Sequence, residues 1–110
     1  MNKTYNIKND FSSTNDRVIQ ILKSIYDPEI KNMNIWDLGL IYSIFYPLIN
    51  TINIEMTLTS PACPLLGVIR KNIRKKIQRY VYQIRVVNIF FIFNPNWKSH
   101  MINNQIKLRS

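Results

Sequence analysis

With 110 residues, 46% of them hydrophobic, the chain is long enough to bury a core of its own without disulfide or metal staples. Its single cysteine excludes an intrachain disulfide and fits a reducing compartment. The formal net charge of +9 raises nucleic-acid and membrane-surface binding, but Asn, Ile and Lys are abundant throughout the chain. Such charge speaks to solubility and non-specific binding rather than to a particular function. Residues 1–16 are polar and Asn/Lys-rich, which argues against a secretory signal. No apolar run reaches the ~18 uninterrupted residues of a membrane span. A cytoplasmic protein with no membrane partner is expected.

Residues 1–15 read as a flexible arm, followed by one domain over 16–110. Ser13, Thr14, Asn15 and Asp16 are N-cap candidates. Val18, Ile19, Leu22, Ile25 and Tyr26 then recur at helical spacing, so the first helix is predicted over 16–26. Asp27 precedes Pro28, and a residue before proline is pushed out of the helical region. Residues 27–38 read as a connecting loop rich in Asn and Asp. Leu40–Tyr46 is β-branched and aromatic enough for a strand, with Pro47 and Asn50 marking a turn. Ile52, Ile54, Met56 and Leu58 alternate with Asn53, Glu55, Thr57 and Thr59, which predicts a second strand with one apolar and one polar face.

Ser60-Pro61-Ala62-Cys63-Pro64 breaks that strand, and a helix is predicted from Pro64 to Tyr82. Its apolar stripe is Leu65, Leu66, Ile69, Ile73, Ile77 and Tyr80, and six Lys and Arg residues crowd the rest. A third strand is predicted over Ile84–Phe93, before Asn94-Pro95, with a short helical turn near Met101. The order α-β-β-α-β points to an α/β (α+β) domain with two helices packed on a small mixed three-stranded sheet.

Cys63 is the first candidate for chemistry. A thiol at a helix start feels the positive end of the helix dipole, which favours the nucleophilic, metal-binding thiolate. A buried structural cysteine is the plain alternative. Asp27, Glu29 and Asp37 concentrate half of the six acidic residues in one loop. They could bind metal or steer a cysteine proton, or simply cap turns. Thr57, Thr59 and Ser60 lie beside the Cys63 segment, where their hydroxyls could support a thiolate or form a solvated strand face. His100 and Trp97 fall in the tail, where surface exposure and ordinary packing are the simple readings. There is no Cys-x-x-Cys pair, and the chain has two glycines, so it lacks a Gly-rich phosphate cradle.

Four blocks then fall in a telling order: Tyr26-Asp27-Pro28-Glu29-Ile30, Asn34-Ile35-Trp36-Asp37-Leu38-Gly39-Leu40-Ile41-Tyr42, Met56-Thr57-Leu58-Thr59-Ser60-Pro61-Ala62-Cys63-Pro64, and Asn94-Pro95-Asn96-Trp97 followed by Met101. Together they resemble the SufT-like metal–sulfur cluster assembly family (the MIP-eighteen domain family) over residues 16–108. The resemblance implies a scaffold-type assembly domain that matures iron–sulfur proteins alongside SUF machinery. It implies an accessory factor rather than an enzyme, with assembly machinery and client apoproteins as partners. It makes Cys63 the functional thiol and metal ligand, supported by Asp27, Glu29, Asp37, Thr57, Thr59 and Ser60. Relatives include PaaD-type maturation factors for an oxygenase. The basic second helix departs from the family's usual surface.

An iron–sulfur cluster is usually held by four cysteine-type ligands. One cysteine per chain therefore implies a transient cluster, completed by a homodimer, a partner or small thiols. Two other readings stand beside this one. A nucleic-acid module would use the basic helix, but the KH version of such a core needs a Gly-x-x-Gly loop that is absent. A thiol enzyme would need a base beside Cys63, and the only histidine is far along the chain.

Overall fold

The computed structural model describes residues 13–27, 30, 32–59, 66–93 and 102. Helix α1 covers 13–22, strand β1 Ile41–Leu48, strand β2 Thr51–Met56, helix α2 Leu66–Tyr80 and strand β3 Val86–Phe91. The sheet order is β1-β2-β3, antiparallel between β1 and β2 and parallel between β2 and β3. This is the expected α+β arrangement, with β2 at the centre.

Period-two patterning decides which face of the sheet is buried. Ile52, Ile54 and Met56 of β2 are fully buried, as are Val87 and Ile89 of β3 to within a few per cent. Val18, Ile21 and Leu22 of α1 and Ile69, Ile73 and Ile77 of α2 join them in one core. Each of these side chains contributes about 1.5–3 kcal/mol by leaving water. Registry puts Ser43, Phe45, Asn53, Glu55, Asn88 and Phe90 on the opposite face. Two side-chain bonds link strands there: Ser43 Oγ donates to Glu55 Oε1 at 2.7 Å and Asn88 Nδ2 to Asn53 Oδ1 at 2.9 Å.

Several boundaries differ from expectation. Residues 13–15, assigned to the arm, are already helical, and α1 stops at 22 rather than 26. Its last turn tightens: Ser24 N–H donates to the Ile21 carbonyl at 2.9 Å, and the Ser24 hydroxyl donates to the same carbonyl at 2.6 Å. Ile25 continues into the core without being helical. β1 runs through Pro47 to Leu48, and the turn falls at Ile49–Asn50. Proline is tolerated because β1 is an edge strand with a register shift between Phe45 and Leu48.

β2 ends at Met56 rather than Thr59, and its polar side is not uniformly solvated, since Thr51 and Thr57 are buried. Tyr80 does not belong to the apolar stripe of α2: it is 59% exposed, while Val81 is fully buried. The spacing of Ile69, Ile73 and Ile77 explains this, because the next step of four reaches Val81. β3 is two residues shorter at each end than predicted. The predicted turn near Met101 lies outside the described residues. Among the described residues no helix is long and apolar enough to cross a membrane.

Candidate functional site

Residues 25–27, 30 and 32–40 form a folded platform rather than a slack connection. Ile35 N–H bonds the Ile25 carbonyl at 2.8 Å and Asp27 N–H the Met33 carbonyl at 3.1 Å, with an antiparallel bridge between Tyr26 and Asn34. Asn32 and Gly39 take positive φ values of 68° and 77°, which reverse the chain where an ordinary side chain would be strained. Leu38 N–H reaches Asn34, Gly39 N–H reaches Trp36, and Leu40 N–H reaches Ile35. Ile35, Leu38 and Leu40 anchor the platform in the core.

The carboxylates on this platform have different surroundings. Asp27 is buried, and its Oδ2 accepts the Ile30 N–H at 2.7 Å. That bond closes a turn, the structural role weighed for it from sequence. Asp37 is half-buried and held from two directions by Asn34. Asn34 Nδ2 donates to Asp37 Oδ2 at 2.9 Å, and Asp37 N–H donates to Asn34 Oδ1 at 2.7 Å. Asn34 was not singled out as a site residue. Its signal in the sequence was an Asn three positions before an Asp, a spacing at which side-chain amides satisfy turn backbones.

The platform meets the end of β2 through the backbone. Thr57 N–H donates to the Leu40 carbonyl at 2.8 Å. On the other side, Ile92 N–H donates to the Met56 carbonyl at 2.7 Å. The segment that leads into Ser60 and Cys63 is thus fixed by the Asp37 platform and by the chain after β3. Thr57 is fully buried, and its hydroxyl donates to the Leu58 carbonyl at 3.4 Å, a long hydrogen bond. Thr59 is half-buried. Of the expected site residues, Asp27, Asp37, Thr57 and Thr59 are therefore placed on two segments joined at Leu40 and Thr57. Glu29, Ser60, Cys63, Trp97 and His100 lie outside the described residues.

Among the described residues no three His, Cys, Asp or Glu side chains gather as a metal cage. A groove of about 270 Å³ beside the platform is lined by Asn15, Ile19, Trp36, Ile41, Tyr42, Ser43 and Ile44. Tyr46 OH donates to Asn15 Oδ1 at 2.8 Å, and burial pushes the Tyr46 phenol up to about 12.

The chain is 33% identical to the Fe-S protein maturation auxiliary factor of Porphyromonas gingivalis, over 93% of this chain and 95% of that protein. It is 26% identical to the Fe-S protein maturation auxiliary factor YitW of Bacillus subtilis, over 84% and 89% of the two chains. Its fold matches a domain of unknown function from Bacillus anthracis with a TM-score of 0.77, at 26% identity over 89% and 92% of the two chains. The iron–sulfur cluster assembly protein model matches residues 15–90, a span that contains the Asp37 platform, the end of β2 and the Cys63 segment, and the chain belongs to that family.

Proposed function

We propose that this chain is an iron–sulfur maturation factor that works beside SUF-type machinery and hands clusters to client apoproteins through Cys63. The observation that most supports the reading is the junction of two motif segments. The Asn34–Asp37 pair fixes one, and the Leu40–Thr57 backbone bond ties it to the strand end that runs on to Cys63. Asp27 and Asp37, with Glu29 beside Asp27 in sequence, would give the thiol segment an acidic neighbour able to accept a proton. Thr59 and Ser60 would offer hydroxyls to the thiolate, and Thr57, expected in the same role, instead gives its hydroxyl proton to the Leu58 carbonyl.

The cluster is cargo in this reading. As the thiolate, Cys63 supplies one ligand to an iron, and the remaining ligands come from a second copy, a partner or small thiols. Transfer is a ligand exchange. An acceptor thiol gives its proton to a nearby base and forms an iron–sulfur bond, and the bond to Cys63 breaks with its electron pair returning to the Cys63 sulfur. No electron is gained or lost in that exchange, and the chain acts as an adaptor rather than a catalyst. The names of its relatives, both called auxiliary factors, support that division of labour.

Anaerobic reconstitution with iron and sulfide tests the ligand role. The wild-type chain is expected to take up a cluster, read by visible absorbance and iron content, and Cys63→Ala is expected to lose it. Equal uptake by the variant would remove Cys63 as a ligand.

A further inference from the structure

The charge of the molecule is segregated along the chain. No acidic residue follows Glu55, whereas α2 alone carries Arg70, Lys71, Arg74, Lys75, Lys76 and Arg79. The fold uses three of these cations internally. The Arg70 guanidinium lies 5.0 Å from the Phe91 ring centroid. Arg74 Nε and Nη2 donate to the Val87 carbonyl at 3.4 and 3.3 Å, and Lys76 Nζ donates to Ser24 Oγ at 3.2 Å.

Lys71, Lys75 and Arg79 contact no other element of the fold among the described residues, and all three are exposed. Steps of four residues line them up opposite the buried Ile69, Ile73 and Ile77. Two like-charge pairs at this spacing disfavour the helix on its own. Among the described residues no carboxylate pairs with any of the three. At 1.5 Å per residue the stripe is about 12 Å long. Val68, 51% exposed, lies at one end on the same side, and Tyr80 and Tyr82 lie at the other, 59% and 82% exposed. Arg79 is fixed against the Tyr80 ring at 5.6 Å. A cleft of about 300 Å³ is lined there by Lys75, Lys76, Gln78, Arg79 and Tyr80.

We propose that this outer face of α2 is the docking surface for an acidic protein that exchanges a cluster with the Cys63 segment. The inference rests on the proposed function, because α2 begins three residues after Cys63 in the chain and the stripe begins at Lys71, about 7.5 Å along the helix from Leu66. Charge complementarity sets the sign of the partner. Apolar and aromatic anchors beside a short charged stripe fit the anatomy of a protein interface, in which large side chains supply affinity and charges supply orientation and encounter rate. A nucleic-acid surface would need cations along a longer backbone track, since firm binding neutralises many phosphates.

The test uses the full-length chain and a fluorescently labelled acidic apo-ferredoxin as probe, read by anisotropy at low and at physiological salt. Wild type is expected to bind, more weakly as salt rises, and K71E/K75E/R79E is expected to lose about tenfold or more in affinity. Circular dichroism of that variant should remain that of the wild type, because the three side chains are exposed. Cys63→Ala should bind the probe as wild type does, which separates docking from the thiol. If wild type fails to bind, or charge reversal leaves affinity unchanged, the docking proposal is overturned while cluster uptake still judges Cys63 on its own. Tighter binding of a 15-nucleotide oligothymidine than of the apo-ferredoxin at physiological salt, lost on charge reversal, would make the face a nucleic-acid site and overturn the proposal. A homodimer that charge reversal dissociates would overturn it as well.

Discussion

Asn34 holds Asp37 through one bond to its carboxylate and one from its backbone, at 2.9 and 2.7 Å. Removing both partners' shared amide should cost about 1–2 kcal/mol, at roughly 1 kcal/mol per bond. Asn34→Ala is therefore expected to lower the urea midpoint with an unchanged slope; no change in midpoint would mean that Asp37 is held by other contacts. Tyr46 gives a second residue-scale prediction. Its folded-state value is raised to about 12 by burial, above the ordinary value near 10. The folded chain thus keeps the proton longer than the unfolded chain does. The contribution to stability is complete below pH 10 and is lost as pH rises through about 12. The difference in phenolate absorbance between wild type and Tyr46→Phe should have its midpoint near 12 while the chain is folded, and a midpoint near 10 would contradict the burial.

At the scale of elements, β2 carries most of the fold because it is paired on both sides and buries Ile52, Ile54 and Met56 completely. Ile54→Ala should cost about 2–5 kcal/mol, with the cavity left behind adding to the lost transfer energy. Chemical denaturation measures that loss, and a value under about 1 kcal/mol would contradict complete burial. Strand and helix types were legible in the sequence where a period was strong, as in Ile52-Ile54-Met56 and Ile69-Ile73-Ile77. Ends were less legible, because they depend on single side chains: Ser24 closing α1, or Val81 replacing Tyr80 at the end of the apolar stripe. The platform of residues 25–27, 30 and 32–40 reads only as a loop in sequence. Its order comes from bonds such as Leu40–Thr57 that link residues far apart in the chain, and from the left-handed backbone at Asn32 and Gly39. Asp27 was legible as a turn former, whereas the burial of Thr57 was hidden by its place in an alternating pattern.

The whole molecule divides its labour by position. An acid-bearing first half builds the Asp37 platform, and a basic second half begins at the end of β2, continues through the Cys63 segment and presents the stripe on α2. Family membership places the chain in iron–sulfur cluster assembly. In the proposed function, its one thiol supplies a single ligand, and the others come from a second copy, a partner or small thiols. The most direct measurement of that central claim is anaerobic transfer from the cluster-loaded chain to an apo-acceptor, followed by the acceptor's own holo spectrum and its iron content. Wild type should convert the acceptor, whereas Cys63→Ala carried through the same loading and transfer should leave it in the apo form. Equal conversion by the two chains would contradict Cys63 as the point of transfer.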